Sequence, residues 1–278
     1  MTIKRILIST VIGFIGALGV PSAHAKLFVP DAEPWAVWEA ANDRSTDRID
    51  HGDWQYILDT YVVSGNTDGI NRFDYSAVSP ADRARLQAYL EELSKLDPRS
   101  YSRAEQRAYW INLYNALTVE VVLQHYPVKS IRKIHGGLLG TGPWKREPVT
   151  VAGRPLSLND IEHRILRPIW RDPRIHYAVN CASLGCPNLS ARAFTGANTE
   201  DMLDAAAKAY VNHRRGVAFD DGRLTLSSIY DWFDVDFGGS ETALLEHIAR
   251  YAELELAQKL AGYDGRIRYD YDWGLNEP

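Results

Sequence analysis

The chain has 278 residues, 31 of them basic and 36 acidic, for a formal net charge of −5, and the two signs are interspersed along its length. No basic stripe or block stands out, which argues against a nucleic-acid or anionic-lipid binder. The length suits one large folded unit, and 8 Trp with 15 Tyr are enough for a well-packed core or a ligand-lining cleft.

The N-terminus reads as Lys4 and Arg5, an apolar run from Ile6 to Val20, a polar break at Pro21 and Ser22, and then Ala23-His24-Ala25. This is the order of a secretory signal peptide over residues 1–25, with a mature chain starting at Lys26. The apolar run is shorter than the roughly 18 residues that span a bilayer. No later stretch is apolar enough to span either, so a periplasmic or secreted protein without a transmembrane segment is expected.

Residues 26–50 carry Pro30 and Pro34 and read as a loosely ordered N-terminal lead-in, and residues 51–278 as a single globular domain. A first helix is expected over about Trp54 to Val63. Ser79-Pro80-Ala81-Asp82 opens a second, with Leu86, Tyr89, Leu90 and Leu93 at helical spacing. The third and most apolar helix starts at the capping box Ser102-Arg103-Ala104-Glu105 and runs until Pro127. Glu105 is assigned to that cap. Pro148 to Val151 read as a strand before the turn Ala152-Gly153-Arg154, and Ser157 to Asp160 cap a short helix, IEHRIL.

Ile175 to Val179 read as a buried strand delivering the chain into NCASLGCP. Thr199 to His213 form another helix closed near Gly216. A hairpin is expected around Asp220-Asp221-Gly222, a last helix over Leu244 to Leu260 and a final strand over Arg266 to Tyr271. Helices dominate around a small central sheet, so the expected class is α+β, mostly helical, in a papain- or transglutaminase-like layout.

The segment 172–187 concentrates chemistry, with His176, Asn180, Cys181, Ser183 and Cys186 released at the end of a buried element. In an oxidising compartment Cys181 and Cys186 can close a short loop as a disulfide. The other reading makes Cys181 a nucleophile, which needs a base within hydrogen-bond reach. On a regular strand His176 shares a face with Ala178 and Asn180 while Cys181 points the other way, so another base has to be considered. That base is His163. At about 100° per residue, Leu158, Ile161, Ile165 and Leu166 form an apolar stripe that contains Glu162 and has His163 at its edge. An inward glutamate needs a partner, either in a structural ion pair or in orienting a catalytic imidazole.

On the long helix, Asn112 and Asn115 lie on a polar seam amid apolar faces. Each amide needs satisfying inside the protein, by tying down loops or by orienting an imidazole. A zinc site built from His163, His176, Cys181 and Cys186 uses acceptable ligand types but matches no familiar spacing. Nothing in the sequence asks for a cofactor.

The run EQRAYWINLYNALTV, then SLNDIEHRIL, then DPRIHYAVNCASLGCP, together with the late SSIYDWFDVDF, resembles the domain of unknown function 547 family over roughly Trp54 to Gly238. The resemblance implies counterparts of His163, His176 and Cys181 in the family. It also implies that plant members commonly carry serine or another residue near the counterpart of Cys186, so a disulfide is not the general reason for Cys181. The leading expectation is a cell-envelope cysteine-dependent hydrolase or acyltransferase acting on an amide or ester bond. In it Cys181 is the nucleophile, His163 the base, Glu162 its orienting group and His176 a second imidazole, with Asn112, Asn115 and Ser183 completing the polar surround. The alternatives are a non-catalytic envelope protein that binds a partner over a buried polar core, and a zinc-stabilised module.

Overall fold

A computed structural model describes residues 30–134 and 142–278. The leader expected over residues 1–25 lies outside the described residues. Among those described, no helix is long and apolar enough to cross a membrane.

The elements in chain order are α1 (Gly52–Tyr61), β1 (Val62–Val63), β2 (Arg72–Phe73), α2 (Pro80–Lys95), α3 (Arg103–His125), β3 (Val149–Val151) and β4 (Arg154–Leu156). A π-helical segment, Asp160–Leu166, then runs directly into α4 (Arg167–Trp170). After it come α5 (Thr199–Val211), β5 (Val217–Asp220), β6 (Arg223–Ser227), α6 (Ile229–Trp232), α7 (Glu241–Tyr251), α8 (Leu254–Leu260) and β7 (Arg268–Asp270). The class is the expected mostly helical α+β. Its strands are divided among three small sheets, β1–β2 and β3–β4, both antiparallel, and β5–β6–β7, in which β7 runs parallel to β6.

The 23-residue α3 is the axis of the fold, buried without a break from Glu105 to Val122. Its start is fixed by Ser102 Oγ, which accepts the Glu105 N–H at 3.4 Å. The Glu105 carboxylate does not reach back to close the box. It accepts instead from Arg48 Nη1 at 2.6 Å and from the Ile49 N–H at 3.4 Å.

The lead-in is therefore tied down rather than loose. Trp38 packs edge-on against Trp110 at 5.1 Å, and the Glu33 and Trp35 N–H groups donate to the carbonyls of His163 and Arg164. Indole burial and paired backbone groups outweigh the two prolines that suggested disorder.

Two further expectations are corrected. Residues 173–177 form a 3-10 helix, not a strand, because Pro173 occupies its first turn and the Asp172 carboxylate caps the Arg174 N–H at 2.9 Å. The helix expected over Leu244 to Leu260 breaks at Ala252 and Glu253. There the Asn212 amide donates to Tyr251 O at 2.8 Å and accepts from the Glu253 N–H at 2.7 Å, taking two backbone groups that a continuous helix would use.

The apolar residues gather in two clusters. The larger spans α1 to α5 together with Leu275, and the smaller joins Tyr177 to α5, the β5–β6 hairpin and α6 to α8. Residues 175–189 run along the seam between them.

Candidate active site

The seam is held by amide side chains. Asn115 donates from Nδ2 to Ala178 O at 2.9 Å and accepts the Asn180 N–H at Oδ1 at 2.8 Å. Asn112 does the same one turn earlier, to both backbone groups of Phe194, at 2.7 and 3.0 Å. Both asparagines are loop tethers, and neither touches an imidazole. Asn180 continues the chain of tethers, donating to Pro187 O at 2.8 Å and accepting the Ala182 N–H at 2.8 Å. It thereby pins the two ends of the cysteine loop and drives Ala182 to φ 57°, a left-handed backbone that alanine rarely adopts.

This loop brings Cys181 and Cys186 together as free cysteines with their sulfurs 2.9 Å apart. Cys186 is buried at 3 % exposure, while Cys181 is half-buried. Cys181 Sγ also contacts Ser183 Oγ and Tyr271 Oη, each at 3.1 Å, and those two hydroxyls bond each other at 2.8 Å. Tyr271 arrives from the C-terminal tail, whose backbone lies on the loop through Leu184 N–H to Gly274 O and Gly185 N–H to Asp272 O, each at 2.8 Å. A Cβ at Gly185 would stand 2.8 Å from the Asp272 nitrogen, so only glycine permits that approach. Trp232 and Trp273 flank Tyr271 with ring centroids at 4.8 and 4.7 Å.

The two thiols differ in acidity. Contact with Cys186, and burial after it, push the Cys181 thiol well up. Burial would raise Cys186 as well, but the Cys181 thiol and the Cys181 N–H, which reaches Cys186 Sγ at 3.0 Å, together with the Arg215 charge, bring it below its ordinary value. Cys186 is the more acidic sulfur.

The other expected residues collect in a second group. Glu162 is directed inward as its place on the stripe predicts, and its Oε2 accepts from Tyr114 at 3.0 Å. Its Oε1 lies 4.0 Å from His163 Nδ1 and 3.9 Å from His176 Nδ1. Arg167 Nη1 donates to His163 Nδ1 at 3.1 Å, which leaves the proton of that neutral ring on Nε2. Burial pushes His163 down to about 4, with Glu162 opposing and Arg167 reinforcing.

His176 Nε2 donates to Asp236 at 2.7 Å, Arg167 Nε holds the same carboxylate at 2.5 Å, and Phe233 stacks on the His176 ring at 4.2 Å. Burial would raise the Asp236 carboxyl, but the bonds from His176 and Arg167 hold it at about 2. His163 also faces a cavity of about 410 Å³ lined by Asp31, Lys145, Asn159 and Arg164 among others. The π-helical winding, a form frequent at functional sites, turns the adjacent Glu162 and His163 both inward.

Neither imidazole is among the hydrogen-bond partners of Cys181 Sγ, which are Cys186, Ser183 and Tyr271. Because residues 173–177 are a 3-10 helix, His176 and Cys181 do not stand on opposite faces of a strand. Among the described residues no group of three or more His, Cys, Asp or Glu side chains could hold a metal ion, so the four residues of the zinc alternative are not gathered. Tyr271, Tyr114, Arg167 and Asp236 were missed from the sequence. Asp236 had a signal, an acid inside the apolar WFDVDF run, whereas Tyr271 had none.

Residues 98–211 match a family model described as protein of unknown function, DUF547. That span holds α3, the π-helical segment, the cysteine loop and α5, and it supports the family resemblance read from the motifs. Asp236 and Tyr271, which complete the two polar groups, lie beyond it. No curated protein and no solved structure matches the chain.

Proposed function

We propose that the chain is a cell-envelope cysteine-dependent hydrolase or acyltransferase in which Cys181 attacks the carbonyl carbon of an amide or ester. The observation that carries the reading is a partly exposed Cys181 directly before the left-handed Ala182, with two hydroxyls aimed at its sulfur. Backbone held in a sparsely populated region by surrounding bonds is a mark of functional sites. The envelope setting rests on the leader read at residues 1–25.

In this reading Cys186 Sγ, in contact with Cys181 and favoured as thiolate, accepts the proton of the Cys181 thiol as the sulfur–carbon bond forms. The oxyanion is met by the Tyr271 and Ser183 hydroxyls. The leaving amine or alcohol departs with the proton from Cys186, and water or an acceptor hydroxyl then cleaves the thioester.

A second, non-catalytic reading is favoured by one feature, the mutual satisfaction of His163, His176, Arg167 and Asp236 as a buried polar core.

The test is a burst assay on the reduced chain with p-nitrophenyl acetate, followed by mass spectrometry. Acetyl on Cys181, labile to hydroxylamine and lost in Cys181→Ala, is the expected result. Acetylation elsewhere, or none above that of the unfolded chain, removes the acyl-transfer reading.

A further inference from the structure

The cysteine loop is built to bring two sulfurs together whether or not a bond joins them. Asn180 clamps the loop ends at Pro187, Asn115 clamps Asn180, and the C-terminal tail lies across Leu184 and Gly185. Arg215 fixes the far side through Leu184 O at 3.1 Å and Asn188 at 2.6 Å. Closing a ring in a loop already ordered in the reduced protein costs little further chain entropy.

The two sulfurs are unequal in two ways. A small molecule arriving from solvent meets the half-buried Cys181 before Cys186, which is 3 % exposed. Cys186 in turn is stabilised as thiolate by the Cys181 N–H and the Arg215 charge.

We propose that Cys181 and Cys186 are a dithiol–disulfide couple that exchanges with small disulfides, with Cys181 as the sulfur of entrance and Cys186 as the resolving sulfur. In the first step the Cys181 thiol passes its proton to the adjoining Cys186 thiolate and attacks one sulfur of the small disulfide, whose S–S bond breaks; the released sulfur takes that proton from Cys186 and leaves as a thiol. In the second the Cys186 thiolate attacks Cys181 Sγ, forming the intrachain bond and expelling the second thiol. Two electrons pass from the cysteines to the small disulfide, and the two cysteine protons end on the released thiols. The closed form has no free nucleophile, so the thiol–disulfide poise of the compartment switches the site proposed above. The exchange shares Cys181 with that reading but requires no acyl transfer.

The probe is oxidised glutathione added to the reduced full chain, with intact-mass and peptide mapping. The wild type is expected to lose two hydrogens and retain no glutathione, Cys186→Ser to retain one glutathione on Cys181, and Cys181→Ser to remain unmodified. A stable adduct on the wild type, an adduct on Cys186, or no reaction overturns the proposal. Native alkylation of the wild type by iodoacetamide reads the same asymmetry without a variant. Cys181 is expected to react faster than Cys186, since burial of Cys186 keeps the reagent from its more acidic sulfur, and equal rates or the reverse order overturn the assignment. A chain that exchanges with glutathione yet takes no acetyl group keeps the couple and loses acyl transfer, and the opposite pair of results does the converse.

Discussion

Ala182 holds a left-handed backbone at φ 57° directly after Cys181. That conformation costs an L-residue on the order of 1 kcal/mol, and glycine would carry it without strain. Ala182→Gly is therefore expected to raise stability in urea by about 0.5 kcal/mol, after the larger entropy glycine loses on folding. It should also slow acetylation of Cys181 several-fold, because the turn loosens. A variant that is both less stable and equally reactive would show that the turn stores no strain for the site.

Asn115→Ala leaves the buried Ala178 O and Asn180 N–H unpaired, a loss of about 2–3 kcal/mol. Asn112→Ala should cost as much at Phe194 while leaving the reactivity of Cys181 intact. These tethers were legible in the sequence because a buried amide on an apolar helix has to bond something. Tyr271 was not legible, since an aromatic in a tail gives no sign of the loop it will reach ninety residues away. Tyr271→Phe is expected to reduce acetylation by about tenfold to a hundredfold with little change in the urea midpoint.

At the scale of elements, what the sequence disclosed depended on whether the deciding contacts were local. α2 and α3 begin where Ser79 and Ser102 place them, since each cap bonds a group three residues on. The strand expected at Ile175 to Val179 failed for a local reason that the apolar run concealed, a proline and an aspartate cap just upstream. The break between α7 and α8 depends on Asn212, some forty residues earlier, and could not be seen in the helix's own pattern. Glu105 was read as a cap because its spacing from Ser102 is right, yet its carboxylate serves Arg48 and Ile49.

Glu105→Gln is expected to weaken that anchor, at a cost of about 1–3 kcal/mol, and to open the chain near Arg48 to limited proteolysis. Gly196→Ala should act in the same direction, since its Cβ would stand 2.5 Å from Glu105 Oε1 and displace the carboxylate. Unchanged cleavage in both variants would mean that Trp38 and the backbone bonds of Glu33 and Trp35 hold the lead-in without Glu105.

Among the described residues, three of the buried histidines are pushed toward the neutral form and lie in different regions. His51 sits against Tyr89 beside the lead-in, His163 against Arg167 in the π-helical segment, and His247 against Tyr177 in the smaller cluster. Burial pushes each down to about 4 from an ordinary 6.5. Between those values the unfolded chain binds more protons than the folded one, so stability rises with pH. The histidine contribution is complete above about 6.5 and is lost as acidification carries the rings through 4. Each shift corresponds to on the order of 3 kcal/mol, less for any ring that water reaches as the protein relaxes.

Asp172 and Asp236, held at about 2 by their arginine and histidine partners against the effect of burial, act the same way but lower, with stability lost as pH falls from about 4 toward 2. The groups facing His163 are Glu162, Asp236, Arg167 and His176, and only the two acids favour its protonation. Urea midpoints followed from about pH 7 down to about pH 4.5 should fall steadily, with the fall starting near the ordinary histidine value and not near the carboxylate one. His163→Gln removes one of the three rings and should flatten the slope by about a third, whatever it does to stability at neutral pH. A midpoint constant across that window would mean that the three rings take up protons in the folded protein as readily as in the unfolded chain.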